Sequence, residues 1–369
     1  MTVLALAPVL GLFMLAGATS FTGDPSVFIL AGLAVFGAIL LLGLLLCVPR
    51  PARPLWRWVR GALVLGTAGL AVWQVSAAVL TPPPLPGALR PVPGQATWSL
   101  PTGSELAYVR LAPRGQARPE PVVVVQGVPD LGGDAAVFAG LADRTVYLYD
   151  RLGTGRSARL ADPSGYTAAR DVADLEAVRQ AIGAERMIVL GHSAGAEVAT
   201  AYATAFPDRV AKLVLSSPTP AASAVRFAGL DTTQSRRLAL SLLHPRSLAI
   251  DTLAQVDPAA ARAFASDAEL DARLDARNAL VAPALSCPGA SPYRPRGAGG
   301  LAALSRRPAP LLRAEPAVPT LVIRGACDPA PPLGRFASAR RVEVPGAGHH
   351  VYRDRREPYL KAVNEFLAG

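Results

Sequence analysis

The sequence predicts an α/β fold: a mostly parallel, doubly wound sheet with a helical insertion, preceded by about three transmembrane helices. Three observations carry this reading. From about residue 95, apolar runs of strand length alternate with helical stretches, the pattern of a parallel sheet covered on both faces. The alternation stops between Pro218 and about Arg313, where only helices and loops are legible. The first 80 residues hold three long apolar stretches without a charge.

Those stretches are residues 2–19, 26–48 and 61–80. Each is about the ~20 residues that a helix needs to cross a bilayer. The chain is 51% apolar, and the excess is concentrated here. No basic residue precedes the first stretch, so it reads as a span rather than a signal peptide. Arg50, Arg53, Arg57 and Arg60 lie between the second and third stretches, and only Asp24 lies between the first and second. Cytoplasmic loops collect Arg and Lys. The arginine loop is therefore placed inside, with the amino terminus, and everything after Leu80 outside. The expectation is an integral membrane protein with its globular part on the extracytoplasmic side.

Net charge is +10, almost all from arginine. No Arg/Lys cluster is interleaved with aromatics, so a nucleic-acid partner is not expected. Of the three cysteines, Cys47 lies in a span and reads as a small apolar filler. Cys287 and Cys327 would face an oxidising compartment. Their separation in space is not set by the sequence, and two free thiols are favoured over a bridge. No Cys/His spacing suggests zinc, and neither metal nor cofactor is expected.

Thr81 to Gly94 carries six prolines and reads as an extended spacer. Residues 97–100 and 106–111 flank Pro101-Thr102-Gly103 as a hairpin. Residues 122–125, four valines, suit a buried central strand. Residues 145–149 form the next strand. A helix over 166–182 places Val172, Leu175, Val178 and Ile182 at helical spacing, and Gly183 ends it. Strands follow at 186–190, 210–215, 320–323 and 341–344, and residues 364–368 lie in a closing helix. The core is thus 95–218 and 313–369. The insertion 219–312, with helices at 236–243, 259–265 and 268–280, reads as a lid.

Five residues carry the chemistry: Gly191-His192-Ser193-Ala194-Gly195, between the strand ending at Leu190 and an alanine-rich helix at 196–206. A Gly-x-Ser-x-Gly turn there holds the serine hydroxyl at the top of a sheet. A serine needs a base within hydrogen-bond reach, and the base needs an orienting acid. Asp328 follows the strand 320–323 on a loop at its carboxyl end, where such folds place their chemistry. His349 follows the strand 341–344 and a Gly-containing loop. His350 is its competitor, and the glycine before His349 favours the latter. Oxyanion donors are expected from the backbone N–H groups of Ala194 and Val128, because Pro129 has none. The lid carboxylates Asp267, Glu269, Asp271 and Asp275 read as a solvated helix face rather than a site for a substrate amine.

Residues 122–218, with Asp328 and His349, resemble the α/β-hydrolase superfamily. Tyr149-Asp150-Arg151-Leu152-Gly153-Thr154-Gly155-Arg156-Ser157 is similar to the Asp-x-x-Gly-x-Gly-x-Ser loop of its proline iminopeptidase and esterase branch. Phe206-Pro207-Asp208-Arg209-Val210 matches that branch too. The chain departs from it at Gln126 and Val128, where the branch usually has His and Gly, and at His192-Ser193-Ala194, where the peptidases often have Gly-Ser-Trp. The resemblance implies an α/β-hydrolase fold with a helical lid and a Ser193–His349–Asp328 triad. It also implies that Asp150 and its neighbours are structural. Serine rather than aspartate at the elbow implies ester or amide chemistry rather than epoxide opening. The expected activity is that of a membrane-anchored serine hydrolase acting on a small-molecule or lipid-like ester or amide. The alternatives are an aminopeptidase of the proline iminopeptidase kind and an inactive binding module at the membrane.

Overall fold

The computed structural model describes residues 2–128, 130–141, 143–218, 230–294, 296–305, 315–329 and 336–369. Parts of the expected lid, 219–229 and 306–312, and Pro129 lie outside the described residues. The strands are β1 (Gln95–Ser99), β2 (Glu105–Leu111), β3 (Val122–Val125), β4 (Val146–Tyr149), β5 (Met187–His192), β6 (Val210–Ser216), β7 (Thr320–Gly325) and β8 (Arg340–Val344). The helices are α1 (Thr2–Ala18), α2 (Pro25–Cys47), α3 (Pro54–Leu80), α4 (Leu131–Phe138), α5 (Ala168–Ala181), α6 (Ala194–Ala205), α7 (Thr232–Leu243), α8 (Pro245–Val256), α9 (Pro258–Phe264), α10 (Asp267–Val281), α11 (Gly300–Ser305), α12 (Val351–Asp354) and α13 (Arg356–Ala368).

The chain divides into two compact units, Met1–Leu85 with Ala239–Glu269, and Pro86–Leu238 with Leu270–Gly369. In the first unit, α2 and α3, of 23 and 27 residues, are long and apolar enough to cross a bilayer. The three expected spans therefore become two. Helix α1 has 17 residues. At 1.5 Å per residue it is about 26 Å long, short of the ~30 Å apolar thickness. It packs along α2 instead, where a Cβ on Gly32 would meet the Gly11 carbonyl oxygen at 2.9 Å. Helix α3 starts about two turns before the uncharged run, because Pro54 at its first turn needs no N–H partner there. This brings Arg60 into the helix, where Nε and Nη2 donate to the carbonyl oxygens of Val48 and Leu45 at 3.0 and 2.6 Å. Carbonyls at a helix carboxyl end have no partner within the helix. Arg60 thus closes the end of α2.

In the second unit the eight strands form one sheet in the order β1-β2-β4-β3-β5-β6-β7-β8. β1 pairs antiparallel with β2, and β2 with β4. The other neighbours run parallel. β3 and β5 are buried along their whole length, which fits uninterrupted apolar runs covered on both faces. One side of the sheet is packed by Leu131 and Phe138 of α4 and by Tyr359, Val363 and Leu367 of α13. Helix α5 starts at Thr167, whose side chain accepts from the Arg170 N–H, and buries Leu175 and Val178. The carboxyl ends of β3, β5, β7 and β8 lead into the loops that carry the candidate residues.

Candidate active site

Ser193 sits between β5 and α6 with φ 54° and ψ −123°. A non-glycine residue there is strained by roughly 1–3 kcal/mol, and surrounding packing must hold it. The Ser193 N–H donates to Ser216 O on β6 at 3.0 Å. Two glycines permit the close approach around it. A Cβ on Gly195 would lie 2.1 Å from Val125 O, and one on Gly127 would lie 2.9 Å from the Ala194 nitrogen. The end of β3 therefore lies directly against the turn.

The structure brings the three dispersed residues together. Ser193 Oγ lies 2.9 Å from His349 Nε2, and His349 Nδ1 lies 3.1 Å from Asp328 Oδ2. With Nδ1–H donating to the carboxylate, Nε2 carries the lone pair that accepts the serine proton. Asp328 and His349 are each 5% exposed, so water barely screens their contact. The glycine before His349 has a physical reason. A Cβ on Gly348 would lie 2.4 Å from Leu285 O, and that same carbonyl accepts from the His349 N–H at 2.8 Å.

His350 occupies a different place. His192 Nδ1–H donates to Ser216 O at 3.0 Å, leaving Nε2 to accept from His350 Nδ1 at 3.2 Å. Burial, which disfavours the charged form, pushes His192 down to about 3 and lowers His350 as well. Both are neutral spacers behind the His349 ring.

Gly127 touches the turn directly, and Val128 follows it. The peptide between them is oriented by a residue outside the sequence-predicted set. Arg151, 6% exposed, donates through Nε to Gln126 O at 3.0 Å and through Nη2 to Gly127 O at 3.1 Å, and pairs with Asp171. In a planar trans peptide the N–H points opposite to the C=O. With the Gly127 carbonyl held toward Arg151, the Val128 N–H faces away from the guanidinium. The signal for Arg151 was present in the 149–157 motif, but the motif alone does not show which carbonyls it binds.

A second set of charges braces the same loop. Arg353, three residues beyond His350, pairs with Asp130 at 2.6 Å and with Asp134, while its guanidinium carbon stacks 3.9 Å from the Tyr293 ring. Gln126 Nε2 donates to Asp134. The helix after His349 and the helix after the β3 loop are thereby tied together.

Two sequence expectations change here. Cys287 and Cys327 form a disulfide rather than two free thiols. The lid return runs beside the loop after β7, and Cys327 precedes Asp328 there, so their Cα atoms come within 5.2 Å. The lid carboxylates are not a solvated face. Glu269 pairs with Arg246 and Asp267 with Arg262. Asp271 pairs with Arg159 and accepts from the Gly300 N–H, and Asp275 accepts from the N–H groups of Gly297 and Ala298. Among the described residues, no cluster of His, Cys, Asp and Glu is arranged to hold a metal ion.

Comparison with known proteins agrees with the fold. The human (lyso)-N-acylphosphatidylethanolamine lipase is 37% identical over 127 residues, covering 32% of this chain and 36% of that protein. A proline iminopeptidase of Heyndrickxia coagulans is 35% identical over 121 residues, 32% of this chain and 41% of its own. The chain thus matches little more than a third of the length of these curated relatives. The crystal structure of epoxide hydrolase A from Mycobacterium thermoresistibile superposes with a TM-score of 0.52 at 22% identity, over 74% of this chain and 98% of that one. The alpha/beta hydrolase fold profile matches residues 120–355, and the chain belongs to that family.

Proposed function

We propose that this chain is a membrane-anchored serine hydrolase that cleaves an ester through an acyl-enzyme. The observation that carries the reading is the continuous Ser193–His349–Asp328 hydrogen-bond chain, at 2.9 and 3.1 Å, built on a strained turn. In this reading Ser193 Oγ attacks the carbonyl carbon as its proton passes to His349 Nε2. Asp328 holds the imidazole in the accepting tautomer and stabilises the imidazolium that forms. The N–H groups of Ala194 and Val128 hold the oxyanion. His349 then protonates the leaving alcohol, and water attacks the acyl-serine with His349 as base.

A serine at the elbow, where epoxide opening would use an aspartate, separates this chain from the chemistry named for its structural neighbour. The engaged lid carboxylates favour an ester over an aminopeptidase substrate, since an amine would have to displace a guanidinium or backbone N–H groups. The match to a lipase acting on an acylated phospholipid supports a lipid-like ester. Placement of the hydrolase unit outside the cytoplasm rests on the four arginines at 50–60, in the connection from α2 and the first two turns of α3, and the disulfide supports it. Shortening α1 leaves that placement unchanged, because α3 still leaves the arginine side.

The test is labelling of the full chain in detergent with a fluorophosphonate. A covalent adduct is expected at Ser193 and none in Ser193→Ala. A folded protein with no adduct would sink the hydrolase reading in favour of a binding module.

A further inference from the structure

The lid does not belong wholly to the hydrolase unit. Its middle, Ala239–Glu269, falls in one compact unit with α1–α3. The chain enters that unit within α7 and leaves it within α10.

A buried cation holds this segment to the membrane helices. Arg246, at the start of α8, is 4% exposed. Its Nε and Nη2 donate to the two oxygens of Glu269 at 2.6 and 2.7 Å. Its Nη1 donates to Val79 O at 2.5 Å, and its guanidinium carbon lies 4.4 Å from the centre of the Phe264 ring. Val79 O is one of the last carbonyls of α3, which have no partner within the helix and carry the negative end of its dipole. A buried, bidentate pair placed on a helix end fixes geometry and not only charge.

The same segment exposes apolar side chains. Among the described residues outside α1–α3 and the connections that adjoin them, the large apolar residues more than about a third exposed are Leu240, Leu243 and Val256, at 61, 64 and 57%. All three lie in the lid. Leu240 and Leu243 stand one turn apart on α7, on the same side of the helix. Arg236 and Arg237, one turn earlier, are exposed. Leucines beside arginines on a surface helix suit the boundary between headgroups and acyl chains, where the apolar face sinks about 5–10 Å.

We propose that residues 239–269 form an interfacial lid that rests in the outer leaflet, and that the substrate is a membrane-borne ester with a long acyl chain drawn from that leaflet. The occupant of the exposed leucine face is the lipid bilayer. Continuity with the membrane helices in one unit, and the Arg246 clamp onto α3, are what select it. The substrate class rests on the serine-hydrolase reading, whereas the interfacial placement does not.

The experiment uses the full chain with Cys47→Ser, reconstituted in phosphatidylcholine vesicles. A nitrobenzoxadiazole label is attached at a single cysteine introduced by Leu240→Cys or Leu243→Cys, with Ser164→Cys as the exposed control. Spin-labelled phosphatidylcholine is expected to quench the labels at 240 and 243 about threefold more than the control. Equal quenching at all three sites overturns the placement. So does self-quenching between labelled chains without lipid quenching, which would assign the face to a second copy.

In the Leu240→Asp/Leu243→Asp variant, turnover of a long-chain ester carried in vesicles is expected to fall about tenfold, as buried leucine contacts with lipid are lost. Turnover of soluble p-nitrophenyl acetate should hold. An equal loss on both esters overturns the substrate class. A wild-type protein that quenches as expected but hydrolyses neither ester would fail the hydrolase reading alone.

Discussion

Arg151 Nη2 donates to the carbonyl oxygen of Gly127 at 3.1 Å, and this bond orients the peptide whose N–H belongs to Val128. The guanidinium acts from behind the loop as a positioning residue. Arg151→Gln, made together with Asp171→Asn so that no buried carboxylate is stranded, is expected to lower kcat roughly 10–100-fold. That is somewhat less than the 10²–10³ for losing an oxyanion donor outright. KM should change little, because the oxyanion forms only in the transition state. Steady-state kinetics on a soluble ester separates the two constants, and an equal loss in both would point to a merely structural role.

Ser193→Ala, His349→Gln and Asp328→Asn are each expected to lower kcat by about 10⁴-fold or more while leaving circular dichroism unchanged. His350→Gln should behave differently. It removes the donor to His192 Nε2 and should lower the melting temperature while turnover persists. The contrast between the two neighbouring histidines is read in one assay.

Asp150 is 1% exposed, its Oδ2 accepts from the Arg156 N–H at 2.8 Å, and its Oδ1 has no hydrogen-bond partner among the described residues. Burial pushes its carboxyl up to about 7. The folded state therefore favours the protonated form. This contribution is fully present below about pH 4 and is lost as pH rises through about 7, on the order of a few kcal/mol. Asp150→Asn keeps an acceptor for Arg156 and removes the charge. Its melting temperature should fall less than that of the wild type between pH 5 and 8.5. Parallel curves for the two proteins would show that Asp150 is not the group responsible.

The disulfide closes a separation of 40 residues between the lid return and the loop of Asp328. Removing it with Cys287→Ser/Cys327→Ser frees the unfolded chain and is expected to destabilise the protein by up to about 4 kcal/mol in the chain-entropy account. Since Cys327 adjoins Asp328, kcat should fall as well, by an amount set by how far that loop relaxes. Denaturant midpoints and ester turnover, with and without reductant on the wild type, check both.

Gly348→Ala would press a Cβ against Leu285 O, the acceptor of the His349 N–H. It is expected to reduce kcat as that backbone bond lengthens. Retained activity would mean the lid return can shift without disturbing His349.

The chain order of the candidate triad and every strand of the sheet were legible because each depends on local pattern. Four consecutive valines need two covered faces, and Gly191 to Gly195 encodes a turn that few other sequences can make. Helix α8 was not legible. Its buried Arg246 finds its partners at Val79 and Glu269, far away along the chain. The lid carboxylates looked solvated for the same reason. Helical spacing places Glu269 on a face but does not say which cation meets it.

The sequence by itself determined the strands of the sheet, the turn that carries Ser193, and a candidate acid and base on strand-end loops, since period and turn chemistry act over a few residues. Only the tertiary structure decided which histidine meets Ser193, which arginine orients the Val128 peptide, that Cys287 meets Cys327, and that the middle of the lid belongs with α1–α3. Those outcomes depend on Cβ-scale clearances and on charges finding partners across tens to hundreds of residues. Close packing fixes such distances, and local pattern does not record them.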